Sequence, residues 1–264
     1  MEDFSKYNPE NSELRAAQMK MLNILLEMDA ICRRNNIQYW LASGTLLGAR
    51  RHGGFIPWDD DLDVEVRQSD LGRLLRALEK ELPADLKLQT KKTDPNYWYY
   101  FPKIRDTRTE IYEPETAKYN FLYRGIFIDI FPVEPFFSRF IKIRLDGILV
   151  RTARRRFAPN NLQKLVNYMM LPFYPLAKIF IALTRFAFHF LPKTKYTDTP
   201  GKETHDTRLS QHLFPLTTIT FEGYTFPAPH DVDGYLSGIY GEDFMTPPPL
   251  EKRTPSHYSS IADS

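Results

Sequence analysis

The chain has 264 residues, a net charge of +2 and a single cysteine, Cys32. That length is enough for a large domain with a real core, and the lone cysteine excludes a disulfide framework and a cysteine-rich zinc site. The near-neutral charge, with no nucleic-acid-binding motif, argues against DNA or RNA as a partner.

Met1 to Glu13 is polar and acidic with no apolar stretch, so no secretory signal is expected. Ser12 is placed to cap a helix ending near Arg34. Its residues Leu14, Ala17, Met21, Leu25, Met28 and Cys32 recur at helical spacing, which makes Cys32 a packed core thiol. Asn35 and Asn36 end that helix, and Ile37 to Ala42 reads as a short strand. Ser43-Gly44-Thr45 then opens a second helix through Leu46, Leu47 and Ala49. A strand, a small-residue turn and a helix start together make a phosphate-binding arrangement: backbone N–H groups and the helix dipole face an anion, and glycine permits close approach. Arg50, Arg51 and His52 add positive charge. They read as groups that balance charge or grip phosphate, because no second histidine or cysteine sits at zinc-ligand spacing.

Asp59, Asp60, Asp61 and Asp63 come next, and an apolar strand runs from Asp61 to Val66. Asp61 and Asp63 are two residues apart, which puts them on one face of that strand. Like charges held that close repel unless a cation lies between them, and a hard divalent ion shared with a substrate's phosphates fits. Glycines, basic residues and Trp58 crowd the same loop, which marks a site rather than an ordinary acidic turn.

A helix capped by Ser69 or Asp70 carries Leu71, Leu74, Leu75, Leu78 and Leu82 on one face, and Leu86 to Thr90 reads as a strand. The run Tyr97 to Phe101 has strand propensity. Lys103 and Arg105 alternate with Ile104 and so share a face that meets either phosphates or solvent. Sheet core is the expected place for at least half of the rings from Tyr97 to Phe101, and Trp58, Trp98 and the neighbouring tyrosines are also candidates to wall a pocket for a quaternary ammonium. Gly125 to Phe131 is the most apolar strand, interrupted by Asp129. A buried, unpaired carboxylate is costly. Two cations are plausible for it, magnesium held jointly with Asp61 and Asp63 or a basic side chain such as Lys103, and magnesium is the one expected.

From Ser138 the chain turns basic and amphipathic, which suits either an anionic membrane surface or a helical hairpin packed on the sheet. Pro172, Pro175, Lys178 and Arg185 break the stretch from Leu165 to Leu191, so no ordinary transmembrane helix is expected. The expected location is cytoplasmic, with peripheral contact at the inner face of the membrane as an option. Thr217 to Phe226 reads as a hairpin turning at Glu222-Gly223, and Asp231 to Tyr240 as a short helix ended by Gly241. The tail from Thr246 reads as irregular. The expected organisation is a catalytic core over 1–137, a basic helical insertion over 138–216, and a segment over 217–264 that completes the core.

The residues Gly44-Thr45-Leu46-Leu47-Gly48-Ala49, Arg51-His52 and Gly54-Phe55-Ile56-Pro57-Trp58-Asp59-Asp60-Asp61, with Asp63 beyond, resemble the motif of LicD-family phosphotransferases. These belong to the nucleotidyltransferase superfamily and are related to fukutin-related proteins. The superfamily pattern is a Gly-Ser or Gly-Gly turn, and Gly44-Thr45 departs from it while keeping a hydroxyl. The resemblance implies an α/β (α+β) fold, a small mixed sheet flanked by helices. It implies transfer of a phospho-alcohol head, typically phosphocholine from CDP-choline, to a cell-surface glycan or lipid-linked glycan. It implies Mg2+ (or Mn2+) on Asp61, Asp63 and Asp129, with Asp59 as a ligand or support and Asp129 as a third ligand or a base. Gly44, Thr45 and Lys103 would meet the donor's phosphates, with Arg51, His52 and Arg105 nearby. Two other classes stay open: a nucleotidyltransferase acting on a sugar or small molecule, and a non-catalytic scaffold that docks at the membrane.

Overall fold

The computed structural model describes residues 4, 7–112, 118–136, 138–202, 206–255 and 261–263. Its strands are β1 (Tyr39–Leu41), β2 (Asp63–Arg67), β3 (Leu86–Gln89), β4 (Lys103–Asp106), β5 (Thr109–Ile111), β6 (Phe127–Pro135), β7 (Lys195–Asp198), β8 (Thr207–Leu209), β9 (Thr217–Phe221), β10 (Tyr224–Ala228) and β11 (Ile261–Asp263). Among the helices, α1 is Glu13–Arg34, α2 is Ser43–His52, α3 is Gln68–Glu81 and α4 is Arg139–Arg154. Further on, α5 is Asn161–Met169, α6 is Phe173–Ala187, α7 is Ser210–Leu213 and α8 is Val232–Tyr240. The result is a mixed α/β fold around a curled sheet, as the resemblance implies.

The main sheet runs β1-β2-β6-β4-β3, and β6 pairs further along with β7, which pairs with β8. β2 and β6 are parallel, while β1, β4 and β7 run antiparallel to their neighbours. Alternation along each strand sorts the side chains by face. Val64, Val66, Ile104, Ile128 and Ile130 share the face covered by α1 and α3. Asp63, Glu65, Lys103, Arg105 and Asp129 share the opposite face.

α1 forms as its sequence dictates. The Ser12 hydroxyl accepts from the Arg15 amide, and Ala17, Met21, Leu25, Met28 and Cys32 are buried along one stripe. The β9–β10 hairpin turns at Glu222 (φ 49°) and Gly223 (φ 80°), the pair of positive angles that a tight hairpin turn requires. Phe221 and Phe226 carry the hairpin into the core, with Phe221 against Phe55 at 4.8 Å.

Several elements differ from expectation. Tyr97 to Phe101 is not a strand; the ladder starts only at Lys103. The rings of Tyr97 and Trp98 instead pack with Tyr119 and Phe121 in a cluster of their own, and that packing overrides strand propensity. α3 begins at Gln68 with Arg67 in the cap position, ahead of the expected Ser69 or Asp70, and Arg67 gives no side-chain cap. The segment 138–216 contains β7 and β8 beside its helices, and they extend the sheet. The tail includes β11, paired with β5.

β8 is tied in by charge. Arg208 is buried against Glu65 and Asp198. Burial works against its charge, but the two carboxylates outweigh it and hold the guanidinium firmly protonated. Glu65 also accepts from Trp40 Nε1 at 2.8 Å and from the Tyr235 hydroxyl at 3.0 Å. One carboxylate thus joins β1, β2, β8 and α8. Each of its partners covers part of a desolvation cost that a lone buried charge would leave unmet.

Candidate active site

The site begins where β1 hands over to α2. Ser43 adopts φ 45°, which swings the chain sharply into the helix. Gly44 sits against the aspartate loop: a Cβ there would stand 3.0 Å from Asp59 Oδ2. At Gly48 a Cβ would stand 2.5 Å from the Gly54 carbonyl, so α2 and the loop touch backbone to backbone. Thr45 is buried, and its hydroxyl accepts from the Asp63 amide at 2.8 Å. The expected phosphate-turn hydroxyl is therefore also the clamp that fixes the start of β2.

Strand register builds the centre. Asp63 pairs with Asp129, and Asp129 pairs with Lys103, so the three side chains form one row across β2, β6 and β4. All three are buried, and Lys103 Nζ lies 2.8 Å from Asp129 Oδ1 and 3.1 Å from Oδ2. Of the two cations that the sequence left open for Asp129, the lysine is in contact. Lys103 Nζ also stands 3.4 Å from the centre of the Phe127 ring. β2 begins only at Asp63, so Asp61 lies in the loop before it and the two do not share a strand face as expected; Asp59 and Asp61 are half-buried there. Burial, then the charges of Asp61 and Asp63, push the Asp59 carboxyl well above the usual carboxylate range, and Asp59 and Asp61 share a hydrogen bond. Burial and the charges of Asp63, Asp59 and Asp61 likewise raise the hydroxyl of Tyr240 at the end of α8.

The loop that carries these aspartates is held from both sides by residues without an assigned role in the sequence reading. The Gln18 amide on α1 donates to the carbonyls of Asp59 at 2.8 Å and Ile56 at 3.3 Å. Glu222 at the hairpin turn accepts from the Phe55 amide at 3.0 Å and from both Arg15 nitrogens at 2.9 and 2.7 Å. Burial alone would raise the Glu222 carboxyl, but Arg15 and the Phe55 amide outweigh it and lower it. The one sequence signal for either residue is the hairpin turn expected at Glu222-Gly223.

The remaining expected site residues lie elsewhere or have other partners. Arg51 donates to the Phe244 carbonyl at 3.1 Å and to His52 Nε2 at 3.0 Å. His52 packs edge-on with Phe4 and with Trp58, and Trp58 also meets Tyr7 and the Arg253 guanidinium. Arg105 is buried, donating to Gln89 Oε1 and the Gly125 carbonyl, each at 2.8 Å. The two tryptophans do not wall a common pocket, because Trp58 and Trp98 belong to separate hydrophobic clusters. The Arg154 guanidinium at 3.7 Å and the Tyr99 ring at 3.9 Å cover Trp98.

Among the described residues, no three carboxylate, histidine or cysteine side chains converge into a ready cage for a metal ion. A magnesium-type ion does not need one. It is commonly held by one or two carboxylates, with water and substrate phosphates completing the shell. Asp63 is buried with Asp61 half-buried two residues before it, and their all-oxygen donor set suits such an ion shared with a phosphate ligand.

The family described as LicD/FKTN/FKRP, nucleotidyltransferase domain, matches residues 36–173. The chain is 31% identical over 260 residues to the lipopolysaccharide cholinephosphotransferase LicD of Haemophilus influenzae, covering 92% of this chain and 96% of that protein. It is 53% identical over 36 residues to the mouse ribitol 5-phosphate transferase FKRP, covering 14% of this chain and 7% of that protein. An uncharacterized protein of Rickettsia prowazekii, RP689, is 44% identical over 52 residues, 20% of each chain. The chain belongs to the LicD family, and it is a phosphotransferase of that type.

Two expected outcomes follow from this geometry. Asp129→Asn strands the buried Lys103 ammonium and should destabilise the protein by about 3–5 kcal/mol in urea unfolding. Adding Lys103→Met should recover part of that loss; single-mutant effects that simply add, within about 0.5 kcal/mol, would mean the pair is not coupled. The second outcome concerns His52, whose imidazole is pushed down from 6.5 to about 4 by burial and by Arg51. Between those values the unfolded chain takes up a proton that the folded chain refuses, so stability should fall as pH drops from 6.5 towards 4. His52→Gln should flatten that part of the stability profile, and an unchanged slope would assign it to other groups.

Proposed function

We propose that this enzyme transfers a phospho-alcohol head group from a CDP-linked donor to a hydroxyl of a cell-surface glycan. The observation that carries this reading is the row Asp63–Asp129–Lys103, with Asp59 and Asp61 at its edge and the start of α2 beside it. The whole-length likeness to a lipopolysaccharide cholinephosphotransferase supports the glycan acceptor and the head-group class. The short likeness to a ribitol 5-phosphate transferase supports a phosphorylated alcohol more generally.

In this reading Gly44 and Thr45, at the first turn of α2, bring backbone N–H groups to the donor's phosphates. Asp61 and Asp63 would hold Mg2+ or Mn2+, which would supply positive charge against the negative charge developing on the transferring group. Lys103, held in place by Asp129, adds a fixed positive charge on the same face. The acceptor oxygen forms a bond to the head-group phosphorus. The bond from that phosphorus to the bridging oxygen breaks, and CMP leaves with the electron pair. The acceptor proton passes to a carboxylate of the cluster and on to water.

The test is product analysis with a panel of CDP-alcohols and a glycan acceptor. The expected products are CMP and an acceptor heavier by the phospho-alcohol. A nucleoside monophosphate on the acceptor would mean nucleotidyl transfer instead, and no turnover of any donor would favour a scaffold. Asp63→Asn should lower turnover by about 10²–10³-fold, by analogy with the loss of a preorganised group that stabilises transition-state charge. Near wild-type turnover in that folded variant would remove Asp63 from the mechanism.

A further inference from the structure

The segment between β6 and β7 has a surface that the chemistry above does not use. On α6 the buried stripe is Ala177, Ile181 and Thr184, which faces Leu145 and Leu149 of α4. Leu176, Ile179, Leu183 and Phe186 lie on the opposite side at spacings of three and four residues, and Phe190 continues the stripe. These side chains are exposed, from 57% at Ile179 to 78% at Phe190. Leu162, Leu165 and Met169 form a matching exposed stripe on α5, and Phe140 projects from the start of α4. Helices of ordinary globular proteins bury their apolar stripe, but α6 is apolar on both sides.

Charge identifies the occupant. From Ser138 to Thr197 the sequence has twelve lysines and arginines and one acid, Asp146. Asp146 is consumed inside, by Lys142 Nζ at 2.7 Å and the Gly201 amide at 2.7 Å. Arg185 is engaged by Glu134 on β6. Arg139, Arg144, Arg151, Arg156, Lys164 and Lys178 remain as exposed cations around the apolar stripes. A second copy of this chain would bring like charge against like charge. A bilayer surface with anionic headgroups matches both features, because apolar side chains enter the acyl boundary while long basic side chains reach the headgroups. Among the described residues no single helix is long and apolar enough to cross a membrane; α5 and α6 together have the length and apolar composition of a broken span, but they meet at a 49° bend, and the basic side chains beside their apolar stripes suit a position along the surface rather than through it.

We infer that the outer faces of α5 and α6, with the start of α4, form a docking surface for an anionic membrane. β6, which carries Asp129, runs directly into this segment, and the Arg185–Glu134 pair ties α6 to that strand. The inference stands on surface residues alone and does not depend on the donor or acceptor proposed above.

The test is co-sedimentation of the full chain with vesicles of phosphatidylcholine alone or mixed with phosphatidylglycerol. The wild-type chain should sediment with the mixed vesicles and far less with phosphatidylcholine alone. Leu183→Ser/Phe186→Ser/Phe190→Ser should weaken that partition by about tenfold or more with an unchanged melting temperature, since all three side chains point outward. Arg144→Gln/Arg151→Gln/Lys164→Gln should remove the preference for phosphatidylglycerol. A wild-type chain that stays in the supernatant would overturn the inference. So would undiminished sedimentation of the apolar triple variant. Self-association in light scattering that the triple variant abolishes, without vesicle binding, would reassign the surface to a dimer.

Discussion

Register between β2, β6 and β4 is the constraint on which the site depends. Neighbouring strands stand about 4.8 Å apart, so residues matched across the ladder have no choice but to meet. Here the matched residues are Asp63, Asp129 and Lys103. A slip of one residue would send Asp129 into the apolar layer under α1 and α3 and bring Ile128 or Ile130 to the site. Register is secured at several points. The Asp129 amide donates to the Leu62 carbonyl at 2.8 Å, and the Ile130 amide donates to the Pro102 carbonyl at 3.0 Å. Thr45 holds the Asp63 amide, and Glu65, two residues on, is locked to Trp40, Tyr235 and Arg208.

Stability and function pull in opposite directions at this face. Three carboxylates crowd together at Asp59, Asp61 and Asp63, and one ammonium, Lys103, answers Asp129. The loop that carries the three aspartates is braced against the remaining repulsion by neighbouring elements. Gln18 reaches from α1 to two loop carbonyls, and Glu222 reaches from the hairpin to the Phe55 amide while Arg15 anchors it. The Arg15–Glu222 pair is bidentate, the geometry in which an ion pair fixes position as well as charge. This pair joins residues 207 positions apart, and the β9–β10 hairpin and α8 close over β1 and α2.

Much of this was legible in the sequence because it is local. The α1 stripe, the α2 start, the β6 strand with its interrupting aspartate and the Glu222-Gly223 turn each follow from spacing and turn chemistry within a few residues. What was not legible depends on distant partners. The aromatic run before Lys103 has the composition of a strand, and only its contacts with Tyr119 and Phe121 draw it out of the ladder. β5 and β11 pair across most of the chain length, and nothing in either three-residue segment marks it. The arginines and histidine beside the aspartates carried a charge signal without a direction. Arg51 turns to the Phe244 carbonyl and Arg50 to Asp233 on α8, so they bind the periphery of the site together. Gln18 left no signal in the sequence, and Tyr240 only a faint one, a tyrosine at a helix end.

The central claim is that the Asp61–Asp63 edge of this row binds a nucleotide's phosphates through a divalent ion. Calorimetric titration of CDP into the protein, with and without Mg2+, tests it most directly. The account predicts that Mg2+ tightens CDP binding by about tenfold or more, and that Asp61→Asn removes the enhancement while leaving the folded state intact. CDP binding of equal strength with and without Mg2+ in the wild-type protein would contradict it.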